Sequence, residues 1–256
     1  MMIAAATDHF FVNGGHTLDF VNKGFELLEL IGWQHAPTVL SSLVRGLANA
    51  GRSEEQDAWR SSIELVAVAR FPTTNEFGDW VTVVHTFTYL NALHQSLKAA
   101  PSLEGARGLY HGALRIYLDR FLNVPAARAP DGRAQAFADL AASLIELLNH
   151  QHQVAAAAEL VDAHLRAGGT GRELFAALGT VLLREDAEFH TYQAYEAGAR
   201  LFAELAPTRP EHARHVAVAV ARYLAAHAPT HREMRQTARI AIRLQRGDDL
   251  TAPEEE

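Results

Sequence analysis

The helical periodicity of the sequence is the feature that most limits what this chain can fold into. Apolar residues recur every three to four positions along nearly the whole chain, and no β-rich run bounded by turn residues interrupts them. The pattern predicts an all-α protein, a single multi-helix bundle of about eight to ten helices. Because no shift in composition divides the chain, we expect one helical domain over 1–247, with two subdomains as the alternative. The acidic tail 248–256 has no apolar pattern and is predicted to be disordered.

Capping residues, glycines and prolines set the predicted helix boundaries. The segment 133–166 lacks glycine and proline, so it is either one long helix or two helices broken near 150–152. The segment 71–79 contains Pro, Asn and Gly in quick succession and is predicted to be a loop. The helices are predicted at 16–31, from 37 to near 51, 53–70, 80–99, 103–123, within 133–166, 171–205, 211–228, and after a cap at Thr230 with Glu233 in the capping-box position.

Composition excludes several classes of function. The formal charge is −7, with 30 acidic against 23 basic residues, which disfavours nucleic-acid binding. Because the chain has no cysteine, it can form no disulfide, thiolate zinc site, iron–sulfur cluster or cysteine nucleophile. Any metal must therefore be held by histidine, a carboxylate or a modified lysine. The sequence has no long apolar run, so we expect a soluble, cytoplasmic protein without a membrane association.

The first long predicted helix carries His16 and Lys23 on the same side as apolar residues. At about 100° per residue they share a sector with Phe20, Leu27 and Leu30, which predicts a buried or cleft-facing polar pair. A desolvated lysine can act as a base, form a Schiff base or take up carbon dioxide as a metal-binding carbamate. Alternatively, the Lys23 ammonium extends to Asp19 or Glu26 while its stem packs on apolar residues.

Two histidines on the helix 80–99 lie on opposite faces, so a straight helix cannot offer both to one ion. His85 shares its side with Thr88, Tyr89 and Ala92, which leaves room for a site. His94 lies among larger apolar residues and is predicted to be a core histidine. We therefore favour His85 as a ligand.

Familiar catalytic spacings are absent, including His-Glu-x-x-His, Gly-x-Ser-x-Gly, the Gly-Lys-Ser/Thr phosphate loop and a His-Asp dipeptide. A di-iron site would need Glu-x-x-His pairs, but the residue three positions before His190 is Ala187. On a continuous helix, Asp186 and His190 would instead share one face at i, i+4, either as metal ligands or as a hydrogen-bonded surface pair.

Four stretches of the sequence together carry a family resemblance. They are His16-Thr-Leu-Asp-Phe-Val-Asn-Lys23, Asn75-Glu-Phe-Gly-Asp-Trp80 with His85-Thr-Phe-Thr-Tyr, Tyr117-Leu-Asp-Arg-Phe-Leu-Asn-Val-Pro125, and Arg184-Glu-Asp-Ala-Glu-Phe-His190. These stretches resemble a bacterial family of helical domains that in many members follows an N-terminal Rieske domain. More remotely, the chain is similar to the questin-oxidase-like oxygenases, in which several histidines and a carboxylated lysine hold one non-haem iron. The chain departs from the Rieske-linked pattern because it has no cysteine.

The resemblance implies a metal site of His16, His85 and His190, with Lys23 as the candidate modified lysine. It also implies an iron-dependent oxygenase that acts on an aromatic or quinone-like small molecule. Because the chain has no Rieske centre, electrons would come from a separate electron-transfer protein or from the substrate, or would not be needed. The alternative is a non-catalytic helical module that binds a redox partner or an apolar ligand. A b-type haem site using one or two of these histidines is a third possibility.

Overall fold

The computed structural model describes residues 1–8, 12–51, 77–119, 130 and 132–247. These residues form eleven α-helices and no strand, which confirms the all-α prediction. The chain divides into two compact units, Met1–Ala127 and Arg128–Glu256. The predicted helix 53–70, residues 71–76 of the predicted loop 71–79 and the tail 248–256 lie outside the described residues. The last three residues of that predicted loop, 77–79, are helical, so the loop prediction is wrong there. Within the described ranges, none of the helices is long and apolar enough to span a membrane.

Unit 1 contains five of these helices, and their bounds follow the capping signals. The N-terminal helices α2 and α3 pack against each other, and α4 packs against both α2 and α5. Leu18, Tyr89 and Leu93 form the centre of the core, each no more than 2% exposed. The helices are α1 (Met2–Thr7), α2 (His16–Ile31), α3 (Ala36–Ala48), α4 (Phe77–Ala99) and α5 (Leu103–Asp119).

The buried face of α2 differs from the predicted one. Phe20, Leu27 and Leu30 are 50%, 43% and 83% exposed, so the sector that also holds Lys23 is not the buried side. The helix buries a sector that includes Leu18 and the polar Asn22 instead. The physical reason is that buried polar groups are tolerated when they are paired: Asn22 Nδ2 donates to Glu26 Oε1 (3.0 Å), and Asn22 Oδ1 accepts from Ser96 Oγ (3.4 Å).

Unit 2 contains the remaining six described helices. Its core combines leucines of α6 and α8 with a small-residue contact between α7 and α10, where Ala157, Ala158 and Ala217 are at most 1% exposed. Small side chains there allow the two helix backbones to approach closely. The helices are α6 (Leu140–Leu147), α7 (Val154–Arg166), α8 (Gly171–Arg184), α9 (Phe189–Leu205), α10 (Pro210–Ala226) and α11 (Glu233–Arg246).

The segment 133–166 contains two helices, α6 and α7. Of the two alternatives predicted for it, one long helix or two helices broken near 150–152, the second is confirmed. The break between α6 and α7 includes His152, whose φ is +64°. The first helix begins at Leu140 rather than near Arg133, because Asp139 adopts an extended conformation and its side chain accepts from Ala142 N. Before that cap, Gln135 N donates to Ala163 O, which holds the preceding segment against α7 in a non-helical form.

The predicted continuous helix 171–205 is wrong, because the chain leaves the helical conformation at Glu185 and returns to it at Phe189. Glu185 is 8% exposed and makes four hydrogen bonds. Its carboxylate accepts from Thr230 N (2.7 Å), Thr230 Oγ1 (2.8 Å), Arg184 Nε (2.9 Å) and Arg232 Nε (3.1 Å). These four hydrogen bonds stabilise the extended conformation at Glu185 more than the backbone hydrogen bonds of one additional helical turn would.

Asp186 therefore does not share a helix face with His190, and that prediction is also wrong. Its carboxylate accepts from Glu233 N (2.9 Å) and Met234 N (2.8 Å), so it caps the N-terminus of α11 from a distant point in the chain. The predicted capping box of Thr230 and Glu233 does not form. Thr230 Oγ1 donates to Glu185, and α11 begins three residues after Thr230.

Candidate metal site

A tight turn sets the position of His16 in unit 1. Asn13, Gly14 and Gly15 have φ of +52°, +66° and +94°, a left-handed run that asparagine and glycine adopt most readily. Asn13 N donates to Gly51 O at 2.8 Å, which fixes the turn against the chain after α3. His16 follows as the first residue of α2. The turn therefore fixes the position of the His16 backbone, from which the ring extends.

The ring of His16 meets the ring of His85 from α4. The two ring centroids are 4.5 Å apart and the planes are nearly perpendicular, at 85°. Both residues are half-buried, and each offers a ring nitrogen no more than 4.8 Å from one on the other. A Cβ at Gly14 would lie 3.8 Å from His85 Nδ1, so the turn also borders the His85 ring. The sequence reasoning named both residues, and the structure brings them together.

The surroundings of His85 on α4 are well packed. Thr88, Tyr89 and Ala92 are buried on the same side of the helix, and burial raises the pKa of the Tyr89 phenol, which therefore stays protonated. His94 is exposed, so the prediction that it is a core histidine is wrong. The reason is that α4 buries the side bearing Tyr89 and Leu93, and His94 falls outside it.

Lys23 lies on α2 and pairs within its own helix. Its Nζ is 3.1 Å from Glu26 Oε2, and its side chain is 38% exposed. This is one of the two carboxylate partners that the sequence suggested for an extended lysine. The bond between Lys23 and Glu26 must be given up before a Lys23 carbamate can bind a metal.

His190 belongs to unit 2, where it is the second residue of α9. Burial lowers its pKa, and the nearby charge of His227 acts in the same direction, while the Glu188 carboxylate opposes both. A half-buried histidine in this setting favours the neutral ring, the form that binds metals.

Two residues near His190 were missed by the sequence reasoning. The Tyr223 ring lies 4.3 Å from the His227 ring, and His227 Nδ1 is 2.7 Å from Tyr223 O. Burial, together with the Glu188 charge, raises the pKa of Tyr223 to about 12. The i, i+4 spacing of Tyr223 and His227 was the only available signal, and it predicts a helical contact rather than a functional one.

Two imidazoles that face each other can supply two ligands to one transition-metal ion. Imidazole suits iron, zinc, copper and nickel, and the bond from a histidine nitrogen to such an ion is about 2 Å long. A ring nitrogen of His16 lies within 4.8 Å of a ring nitrogen of His85, whereas two ligands that are each about 2 Å from one ion are at most about 4 Å apart. The donor chemistry of this pair therefore fits a mononuclear, nitrogen-rich site.

Comparisons with known proteins add nothing to this geometry. No family model matches the chain, and no curated protein or solved structure matches it.

Proposed function

We propose that the protein is a mononuclear non-haem iron oxygenase that acts on an aromatic or quinone-like small molecule. The observation that carries the proposal is the apposition of His16 and His85, which are far apart in sequence and meet through their rings at 4.5 Å. A turn with three successive positive φ angles places one of the two. Asparagine and glycine adopt these angles at little cost, so the turn gives His16 a fixed position at the start of α2.

The proposed ligand set extends beyond this pair. His190 is the third histidine, on the strength of the resemblance and of its neutral, half-buried setting in unit 2. Lys23 is the fourth candidate and would bind as a carbamate after releasing Glu26. Because the chain has no cysteine, nitrogen and oxygen donors are the ones that remain, and they suit a non-haem iron with open coordination positions.

Iron bound in this way supplies the activation of dioxygen for oxidation or ring cleavage of the substrate. The protein's own residues hold and orient it: His16 is fixed by its turn, and His85 by a packed helix. The protonated Tyr89 belongs to the buried side of α4 and keeps that helix in place, with its hydroxyl donating to Gly108 O (3.4 Å). Electrons come from the substrate or from a separate electron-transfer protein.

Metal analysis of protein purified without an affinity tag tests the proposal. We expect about one equivalent of iron after anaerobic loading with Fe(II), and a loss of at least half in His16→Ala and His85→Ala. His94→Ala is the matched control, because His94 is exposed on the same helix as His85. Less than about a tenth of an equivalent in the wild type, unrestored by Fe(II), would refute the site, since tight metal binding needs a formed ligand set.

Two further variants test the composition of the site. His190→Ala should lower the iron content, and Lys23→Met should do so only if the carbamate forms. For Lys23, iron binding should then also depend on dissolved carbon dioxide. Retention of full iron in His190→Ala would remove His190 from the ligand set.

A second candidate function, the binding of an apolar ligand, is favoured by a cleft in unit 2. The cleft has a volume of about 570 Å³. Phe137, Leu140 and six alanines supply its apolar lining, and Asp139, His164, Glu173 and Thr180 supply polar groups beside them. That volume falls in the range of small-molecule sites. Ala176→Trp would fill the cleft, and Ala155→Trp, exposed on α7 outside it, is the control. Binding of an apolar fluorescent probe that Ala176→Trp alone abolishes would support this function, and unchanged binding would refute it.

A further inference from the structure

The cleft of unit 2 lies where several segments of the chain meet. Its lining comes from the non-helical residues 136–139, the start of α6, the end of α7 with the turn that follows it, and α8. The non-helical segment is held against α7 by Gln135 N, which donates to Ala163 O at 3.1 Å. Helices and a bonded segment therefore form the walls, as in the largely pre-formed pockets that bind small molecules.

His164 is a lining residue with an unpaired polar atom. It lies in the last turn of α7 and is 7% exposed, and its Nε2 has no hydrogen-bond partner within the described part of the chain. This nitrogen faces Gly169, which also lines the cleft, because a Cβ at Gly169 would collide with it. Buried polar atoms normally have a partner, since burying one unpaired costs free energy. A ligand in the cleft can supply the missing hydrogen bond.

Two carboxylates line the same cleft, and each has a spare oxygen. Glu173 Oε2 accepts from Thr170 N (3.0 Å) and Thr170 Oγ1 (2.9 Å) in the capping box of α8. Asp139 Oδ1 accepts from Ala142 N (2.9 Å) as the cap of α6. Among the described residues, no group donates to Glu173 Oε1 or to Asp139 Oδ2. The helix caps therefore use only half of each carboxylate.

The charge of the lining is negative. The hydrogen bonds from Thr170 lower the pKa of Glu173, and the nearby charge of His164 acts in the same direction, so Glu173 is ionised at neutral pH. No lysine or arginine is among the described residues that line the cleft. An ionic ligand is therefore expected to be a cation.

The cation that suits this cleft is organic rather than metallic. Within the described ranges, Asp139, His164 and Glu173 do not come close enough together to hold one metal ion. Phe137, Leu140 and the alanines of the lining instead offer apolar surface to the body of an organic molecule. Such a combination of apolar walls and a few polar groups is typical of small-molecule sites.

We propose that the cleft binds a primary amine with an apolar body, whose ammonium group donates to Glu173 Oε1 and His164 Nε2. The inference rests on the second candidate function, ligand binding in this cleft, and adds the chemistry of the polar end of the ligand. An ammonium group has three donors and no acceptor, and a neutral histidine accepts at the nitrogen that carries no proton. Asp139 adds a second negative charge to the same cleft.

Isothermal titration calorimetry of the full chain tests the proposal with naphthylethylamine, naphthylethanol and naphthylacetate. These compounds share an apolar body and carry a cation, a neutral group and an anion. We expect the amine to bind about tenfold more tightly than the alcohol, and the acetate to bind most weakly. Equal binding of amine and alcohol, both lost in Ala176→Trp, would overturn this inference and leave the second candidate function standing. Binding of none of the three would overturn both.

Substitutions that keep the helix caps test the named acceptors. Glutamine and asparagine also serve at these capping positions, so Glu173→Gln and Asp139→Asn remove charge without removing a cap. We expect each variant, and His164→Leu, to reduce the preference for the amine over the alcohol by about threefold. Glu159→Gln is the matched control, because Glu159 is exposed on α7 outside the cleft.

Circular dichroism establishes that each variant is folded before its affinities are compared. An unchanged preference for the amine in folded Glu173→Gln, or an equal loss of preference in Glu159→Gln, would overturn the proposal. An unchanged preference in His164→Leu would contradict the assignment of Nε2 as an acceptor.

Discussion

Glu185 is the residue whose substitution we expect to destabilise unit 2 most clearly. In Glu185→Gln, the buried Arg184 guanidinium loses its counter-charge. It keeps hydrogen bonds from Arg184 Nη1 to Ile145 O (2.9 Å) and from Nη2 to Leu148 O (3.3 Å). Hydrogen bonds to a charged group contribute about 1.5–3 kcal/mol each, and breaking a buried ion pair costs about 3–5 kcal/mol. A glutamine at position 185 can keep some of the four hydrogen bonds that the Glu185 carboxylate accepts. We therefore expect the free energy of unfolding to fall by about 2–4 kcal/mol.

Urea unfolding followed by circular dichroism measures this loss. With an m-value of about 3 kcal/mol/M, the midpoint should fall by about 1 M. Unfolding of unit 2 must be followed by the helical circular dichroism signal and not by tryptophan fluorescence. All three tryptophans, at positions 33, 59 and 80, belong to unit 1. Glu196→Gln is the matched control: Glu196 forms a half-exposed pair with Arg200 (2.7 Å), and we expect a change below about 1 kcal/mol. Equal effects of the two substitutions would refute the reasoning.

The effect of Glu185→Gln also depends on pH in a defined direction. Burial acts to raise the pKa of Glu185, but the hydrogen bonds from Thr230, Arg232 and Arg184 outweigh it and lower the pKa below its ordinary value of 4.5. A carboxyl whose pKa is lowered on folding stabilises the protein above its unfolded pKa and loses that contribution as the pH falls through the folded pKa. The gap between wild type and Glu185→Gln should therefore be constant near neutrality and narrow below about pH 4.5.

Two further predictions concern the packing of α2 and the cap of α11. Gly24→Ala should destabilise unit 1 by about 1–3 kcal/mol, because a Cβ at Gly24 would lie 2.6 Å from Leu43 Cδ1. Gly46→Ala on α3 meets nothing within 4 Å and should instead stabilise the helix by up to about 1 kcal/mol in thermal unfolding. Asp186→Ala should accelerate hydrogen exchange of the Glu233 and Met234 amides, since both donate to the Asp186 carboxylate. Unchanged exchange in that variant would contradict the capping role.

The sequence predicted helices better than it predicted their faces. The bounds of α2 are correct because the glycines before His16 and after Ile31 mark both ends. Its buried side was wrong because Asn22 gains partners on Glu26 and Ser96 only in the folded chain. The break at Glu185 was missed for a similar reason: its hydrogen-bond partners are Arg184 and two residues more than forty positions away. Local helix propensity carries no signal of such distant bonds.

The candidate site shows the same division between local and distant information. The preference for His85 over His94 follows from helical geometry alone, and the structure places His85 against His16. The pairing of Lys23 with Glu26 was foreseen as an alternative, because the two are one helical turn apart. Tyr223 and His227 were not identified, since their proximity to Glu188 and His190 depends on the tertiary packing of unit 2.

The central claim is that His16 and His85 bind the same metal ion. Anomalous diffraction from crystals of the Fe(II)-loaded protein, recorded above and below the iron absorption edge, tests it most directly. We predict one iron peak about 2 Å from a ring nitrogen of each histidine. An iron peak elsewhere, or none at these rings in a fully loaded crystal, would contradict the claim.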